Sequence, residues 1–281
     1  MTRLSDPTPA ANPRVQGGAD TVLDHQSLTV VAPCFNEEEG LHYLAEKLAK
    51  LQTSLGSQVV LSIVLVDDGS TDNTWDVMHD LFGRRPNVTC LRHKKNLGIM
   101  AATATGIAAS TDEAVAVIDS DCSYDPALIS KMLPLLKEDT SIVTASPYHP
   151  QGQVEGVPEW RLFLSKGASW GYRRLLRNNL ATYTSCFRLY RKSSVVSLPR
   201  RHDGFSGVAE VLALLDRRGW RIDEVPAVLT TRKYGQSKLK LMRVVRDHLS
   251  LMSSIAVGKI FFNRIPPQEV SAGPQVRGER D

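Results

Sequence analysis

The sequence predicts an α/β protein built on a mostly parallel, doubly wound sheet flanked by helices. Three observations lead there. From Ser27 onward, short β-rich runs alternate with helix-patterned runs. The strand runs are apolar almost throughout, as in strands covered on both faces. Several of them end abruptly in acidic or amide residues, at the carboxyl ends where open parallel sheets bind ligands. With 281 residues, 42% hydrophobic and 23% charged, the chain is long enough for one sizeable core and an appendage.

Taken in order, residues 1–26 are rich in Pro, Gly and Ala and lack the apolar run of a signal peptide, so they predict a disordered leader. SLTVVAP opens the main domain as a strand and leads into Pro33, Cys34, Phe35, Asn36 and Glu37. EEEGLHYLAEKLAKLQTSL then carries a helical pattern, and VVLSIVLVDDG is a strand closing on Asp67, Asp68, Gly69 and Ser70. DNTWDVMHDLFG (helix), NVTCLRH (strand) and LGIMAATATGIAAS (helix) follow. EAVAVID is the fourth strand, ending at Asp119 with Asp121 just beyond; DPALISKMLPLLKED is the next helix and TSIVTAS the fifth strand. The main domain spans residues 27–235. Residues 236–265 form a basic amphipathic helical segment, and 266–281 a polar tail.

Charge is unevenly distributed. The net +4 divides into 11 Lys+Arg against 21 Asp+Glu in residues 1–159 and 23 against 9 in residues 160–281. Between Trp160 and His202 there are ten basic residues and no acid. Part of this is pairing between the halves; a stretch without acids also implies an anionic partner, a phosphate or a membrane surface. From Arg232 to Arg264 there are eight Lys+Arg and one acid among apolar residues, the pattern of a helix lying on an anionic membrane, against a partner's helix or on the protein's own core. No window is long enough in apolar residues to span a bilayer. The four cysteines show no C-x-x-C spacing and most lie in apolar segments, as reduced, mostly buried thiols of a cytosolic protein.

Taken singly, the acidic clusters have plain explanations. Asn36 can cap a helix whose dipole Glu37–Glu39 complement, and Asp68-Gly69-Ser70 reads as a turn. Their joint placement at three strand ends is what points to chemistry. There is no P-loop and no dinucleotide fingerprint after the first strand. A calcium loop starting at Asp119 would put Tyr124 where glycine is required and Ser130 where the bidentate glutamate belongs. Asp119 and Asp121 close an apolar strand with two carboxylates that repel each other; either they face water at a surface turn, or a divalent cation between them turns that repulsion into binding.

The motifs VVAPCFNEEEGL, VLVDDGSTDNT, NLGIMAATATG, VIDSDCSYDP, SCFRLYRKS, GFSGVAEVLALLDRRGWRIDEVP and RKYGQSKL occur in this order between about Ser27 and Leu241. In them the chain resembles the inverting glycosyltransferases of family 2, with the GT-A fold, and within that family the polyprenyl-phosphate sugar transferases of the dolichyl-phosphate mannosyltransferase type. The resemblance implies a hexosyltransferase that moves a sugar from a nucleoside-diphosphate sugar (GDP-mannose or a UDP-hexose) to a polyprenyl phosphate such as dolichyl or undecaprenyl phosphate. Pro33, Asn36, Glu37, Asp67 and Asp68 would hold the base and ribose, and Asp119 and Asp121 would hold Mg²⁺ or Mn²⁺ against the diphosphate. Arg161 and Ser165, one helical turn apart, match the acceptor-phosphate positions. Glu210 matches a family glutamate that contacts the donor sugar, or serves as base toward a hydroxyl acceptor. Arg232 and Lys238 lie on a loop that closes over the diphosphate.

The pattern is departed from at Ser123, Pro147 and Thr182, where the lipid-phosphate subgroup carries Gln, Arg and Asp. These bear on the acceptor more than on donor or metal. Two other readings stand beside the first: a transferase of the same fold acting on a hydroxyl of a glycan or glycolipid, and a non-catalytic sugar-nucleotide-binding subunit. The expected location is the cytoplasmic face of the membrane, peripherally or through a membrane partner subunit. Nucleic acid is not among the implied partners.

Overall fold

A computed structural model describes residues 26–234 and 241–258. Along the chain run β1 (Ser27–Cys34), α1 (Leu41–Leu55), β2 (Val60–Asp67), α2 (Thr74–Phe82), β3 (Val88–Arg92), α3 (Ile99–Ala109), β4 (Ala114–Val117), α4 (Ile129–Met132), β5 (Thr140–Ser146), β6 (Gln153–Glu155), α5 (Glu159–Leu175), β7 (Arg188–Arg191), α6 (Lys192–Val195), α7 (Ser206–Arg217), β8 (Arg221–Pro226), β9 (Val228–Thr230) and α8 (Leu241–Ala256). Seven strands make one sheet in the order β3-β2-β1-β4-β7-β5-β8, and β6 pairs with β9 in a small parallel ribbon. The main sheet is parallel except for β7, which runs antiparallel between β4 and β5. This is the mostly parallel, helix-flanked α/β architecture expected.

Both faces of the sheet are buried. Along β1, Leu28, Val30 and Ala32 enter one core beneath α1 and α2, while Val31 enters the other beneath α3 and α7. The two-residue period of a strand thus feeds two cores from one apolar run. Helix α1 buries Leu41, Leu44, Leu48, Leu51 and Leu55, a single helical face. Helix α3 is different: its AATATGIAA composition lets it lie close on the sheet, and a Cβ added at Gly106 would sit 2.2 Å from Val31 Cγ1.

Two expected helices are shorter than their sequence pattern. Glu37–Gly40 form a turn because the Glu37 amide donates to Thr74 Oγ1 and Glu38 accepts from the Asn73 amide, so α1 starts only at Leu41. The segment 125–139 is one turn of α-helix between two 3-10 turns, since Pro134 cannot donate to the ladder and its ring clashes with the preceding turn. All four cysteines are free thiols, Cys34 and Cys122 buried and Cys90 and Cys186 partly so. No helix of the described residues is long and apolar enough to cross a membrane. The leader up to residue 25, the tail 266–281 and Lys238 lie outside the described residues.

The order places a switch point between β1 and β4: from β1 the chain builds outward to β2 and β3, then returns to its other side as β4. At such a point the connections leaving the two strands diverge and open a crevice at the carboxyl edge. Asn36 and Glu37 leave β1 on one side of it, and Asp119 and Asp121 leave β4 on the other.

Candidate active site

On the β1–β2–β3 side of the crevice, where the resemblance expects the donor, side chains fasten three loops together. Asn36 adopts a left-handed conformation, φ 53°, which an amide side chain tolerates better than most. Its amide donates to Ser70 Oγ (2.9 Å) and its Oδ1 accepts from the Thr71 amide (2.7 Å), so it joins the β1 loop to the β2 loop and does not cap α1. Asp67 is fully buried; its Oδ1 accepts from the Ser70 amide, and its Oδ2 lies 3.0 Å from Arg92 Nε as an ion pair without hydrogen-bond geometry. The Asp68 carboxylate is committed three ways, accepting from the Leu97 amide (2.9 Å) and the Gly98 amide (2.8 Å) and pairing with His93 Nδ1 (2.7 Å). Pro33 belongs to β1, paired with Val66.

These ties wall a cavity of about 620 Å³ lined by Phe35, Gly69, Ser70, Thr71 and the run Arg92–Asn96. An aromatic ring beside peptide edges suits a flat heterocycle, and Arg92, Lys94 and Lys95 suit its phosphates. Sequence reasoning passed over the RHKKN run, although its position directly after β3, at a carboxyl edge, was a readable signal. Gly69 is indispensable here: φ is +71° and an added Cβ would lie 2.3 Å from the Lys95 carbonyl carbon. Gly69→Ala should therefore cost about 2–3 kcal/mol, from overpacking plus backbone strain. Gly56→Ala, also at positive φ but with nothing within 4 Å, should cost only the strain. Thermal unfolding of the pair, with nucleotide binding lost only in the first, checks this.

Across the crevice, Asp121 Oδ1 accepts from the Ser123 amide (2.9 Å), closing a turn in which Cys122 takes φ 50°. Burial first, then the neighbouring Asp121 charge, pushes the Asp119 carboxyl up to about 7, with Arg232 pulling the other way. The Arg232 guanidinium lies 2.8 Å from Asp121 Oδ2 and 3.5 Å from Glu37 Oε1. Carboxylates from the β1 and β4 loops thus share one cationic side chain, and Asp119 remains only partly compensated. The donor set is hard oxygen, suited to Mg²⁺ or Mn²⁺. Among the described residues no cluster of three or more His, Cys, Asp or Glu forms a complete cage, so the other ligands would be water and substrate phosphate, as sparse magnesium sites allow.

A further wall comes from α5 and the segment entering β7, where the resemblance expects the acceptor. Val117 pairs with Arg188 in antiparallel register, which brings Cys186 alongside Asp119; burial raises the Cys186 thiol pKa and both aspartates add to the rise. Two residues earlier, Thr184 Oγ1 hydrogen-bonds Ser165 Oγ at 2.7 Å, tying α5 to the segment that enters β7. Burial raises the Tyr148 phenol, with a hydrogen bond to Ser165 working against the rise, and Lys166 stands over the Tyr148 ring. Arg161, one turn before Ser165, stacks over Trp160. Thr182 is positioned through its amide, which donates to Glu224 Oε1.

Glu210 is almost fully buried. Its Oε2 accepts from the Arg201 and His202 amides (3.0 and 2.9 Å) and lies 3.2 Å from His202 Nδ1. It fastens the 201–203 loop that packs on the start of α3, where Asp203 accepts from the Met100 amide. Arg188 donates to the Val208 and Tyr183 carbonyls as a buried strut.

Residues 29–198 match glycosyl transferase family 2. A dolichol-phosphate mannosyltransferase of Pyrococcus furiosus is 30% identical over 275 residues, covering 89% of this chain and 76% of the relative. A polyprenol monophosphomannose synthase of Mycolicibacterium smegmatis is 28% identical over 236 residues, covering 80% and 87%. Among solved structures, glucosyl-3-phosphoglycerate synthase from Mycobacterium tuberculosis superposes with TM-score 0.61 at 19% identity over 83% of this chain and 80% of that one, in a complex with phosphoglyceric acid. The same enzyme with Mn²⁺ and uridine-diphosphate-glucose gives TM-score 0.58 at 20% identity, over 83% and 79%. At that identity the likeness is one of fold, the GT-A fold.

Proposed function

This chain belongs to glycosyltransferase family 2 and is a glycosyltransferase, and from that premise we propose that it transfers a sugar from a nucleoside-diphosphate sugar to a polyprenyl phosphate, with a divalent metal and inversion at the sugar carbon. The observation that carries this reading is the tie between Ser165 and Thr184: it sets the helix carrying Arg161 beside the segment that leads into β7, the strand paired with β4. In this reading the cations of α5 serve the acceptor and the carboxylates after β4 serve the metal.

In this reading the cavity between β1, β2 and β3 takes the base and ribose, with Asn36, Asp67 and Asp68 acting through the loops they fasten. Asp119 and Asp121 would hold Mg²⁺ or Mn²⁺, whose bound charge would offset the one building on the leaving diphosphate. Arg232 adds a second cation there, and Lys238 would follow on the same loop. Arg161 and Ser165 hold the acceptor phosphate in line with the departing group. A phosphate oxygen forms the new bond to the sugar carbon as the bond to the diphosphate breaks; the electron pair leaves with the nucleoside diphosphate. A phosphate monoester carries roughly −1.5 to −2 charge near neutrality, so no side chain need remove a proton. The polyprenyl acceptor places the enzyme peripherally at the cytoplasmic membrane face. Mannose on GDP is the donor to try first, because mannose is what the names of both relatives specify.

The test is transfer of labelled sugar from GDP-mannose and a panel of UDP-hexoses to polyprenyl phosphate, with Mn²⁺ or Mg²⁺. Metal-dependent label in the organic phase is expected; label moving only to a soluble hydroxyl acceptor overturns the acceptor assignment. Glu210→Gln separates the readings further. With its carboxylate committed to two amides and His202, the variant should lower the melting temperature yet retain transfer to lipid phosphate within about tenfold, whereas loss of a general base would cost about 10²–10⁴-fold.

A further inference from the structure

A phosphate monoester brings roughly −1.5 to −2 charge to the proposed reaction, and the two residues set against it so far supply a single positive charge. Arg161 is a cation and Ser165 a neutral hydroxyl, while Pro147, at the end of β5, offers neither charge nor N–H. Strand β7 runs antiparallel to both β4 and β5, so β4 and β5 point the same way and end on one edge of the sheet. Tyr148, two residues past β5, therefore emerges on the edge where Asp119 leaves β4. The segment carrying Thr184 enters β7 between them at that same edge.

The bond from Ser165 to Thr184 sets α5 over this gap. The next residue, Lys166, is exposed, and among the described residues nothing lies within 4 Å of a Cβ built at its neighbour Gly167. A lysine so placed is free to extend into water. Instead its ammonium turns back over the Tyr148 ring, 5.4 Å from the centroid. The Tyr148 hydroxyl is itself turned to Ser165, whose hydrogen bond opposes the rise that burial gives the phenol. An aromatic face attracts a cation through its quadrupole but carries no net charge. The ring thus holds the ammonium in place and leaves its charge whole. Arg232 is the contrast, with the carboxylates of Asp121 and Glu37 both against its guanidinium.

We propose that Lys166 is the second cation of the acceptor-phosphate site and that Tyr148 is the residue that positions it. This deepens the phosphate-acceptor reading and rests on it. The phosphate oxygens are then met by the Arg161 guanidinium, the Ser165 hydroxyl and the Lys166 ammonium, and a dianion faces two cations. Arginine orients a phosphate through its planar fork, whereas lysine acts as a point charge on a flexible stem and follows the group as it moves toward the sugar carbon. The stretch from Trp160 to His202 holds no acid that could take up either charge from within it. A glycan hydroxyl in the same place would leave both cations unmatched, so the pair selects a phosphate monoester over a neutral acceptor.

The test uses the full chain and a water-soluble short-chain prenyl phosphate, read by calorimetric binding and by steady-state transfer. Lys166→Met should weaken binding of the prenyl phosphate and raise its KM by about tenfold or more, the scale of a lost hydrogen bond to a charged group. Donor KM and melting temperature should hold, and Lys166→Arg should restore most of the acceptor affinity. Tyr148→Phe keeps the ring and should keep most of that affinity, whereas Tyr148→Leu should lose it as Lys166→Met does. The double variant Tyr148→Leu/Lys166→Met should be no worse than Lys166→Met alone, because the ring acts through the ammonium. Unchanged acceptor binding in Lys166→Met overturns the proposal, as does a fall in donor affinity or melting temperature of the same size. Additive losses in the double variant overturn the positioning role of Tyr148. If wild type transfers sugar only to a hydroxyl acceptor, the proposed reaction fails and binding of the prenyl phosphate decides by itself. Binding by wild type that Lys166→Met loses upholds the site, and absent or equal binding overturns it.

Discussion

Replacing Asp121 by asparagine should lower sugar transfer by about 10²–10³-fold, the usual loss when one charge-stabilising group is removed from a reacting centre. The fold should survive, because the amide keeps an oxygen where Asp121 Oδ1 accepts from the Ser123 amide. The Asp121 charge is also one of the causes that push the Asp119 carboxyl up. Its removal relieves that repulsion but also gives up the ion pair with Arg232, so the melting temperature should change little. Equilibrium dialysis with Mn²⁺ in the absence of nucleotide should show weakened metal binding, in step with the lost transfer. Full activity in a stably folded Asp121→Asn protein would dismiss this carboxylate as a metal ligand.

Arg232→Gln should act in opposite directions on metal and on turnover. In the free protein the guanidinium rests against Asp121 and Glu37, the charge that a metal must neutralise. A cation entering the site competes with it. Removing the guanidinium should tighten binding of Mn²⁺ alone by roughly twofold to fivefold, the scale of a partly exposed ion pair. If the same arginine turns to a bound diphosphate, as the proposed reaction requires, its loss should cost transfer about 10²-fold. Arg232→Lys should restore little of this, since an ammonium cannot bridge two carboxylates or grip a diphosphate as a planar fork does. Calorimetric titration with Mn²⁺, with and without GDP or UDP, separates the two effects. A fall in both would mean that Arg232 organises the metal site and does not compete for it.

Much of the architecture was legible because it depends on local pattern. The apolar runs of β1, β2 and β4 demanded cover on both faces, and the acids closing them marked the carboxyl edge. Less was legible wherever a side chain's partner is distant in sequence. Asn36 looked equally like a helix cap, and only its bonds to Ser70 and Thr71, across two strands, decide otherwise. Glu210 could be placed in an apolar helix by sequence, but the two amides that take its carboxylate belong to a loop of no recognisable pattern. The break at Pro134 was visible in the sequence yet outweighed in the reading by the surrounding helical spacing.

The sequence by itself determined the alternation of strands and helices, the acid-free stretch from Trp160 to His202 and the carboxylate pair at the end of β4, since each is a property of neighbours along the chain. Tertiary structure alone decided which charges meet. The sheet order sets β1 beside β4, and the Thr230 amide donating to the Ser123 carbonyl brings the segment after β9 to them, so that Glu37, Asp121 and Arg232 meet from positions far apart. It also decided that α5 would turn Ser165 to Thr184 and leave Phe163 and Trp170 exposed. Helical spacing fixes which residues share a face, but only packing determines which face is covered.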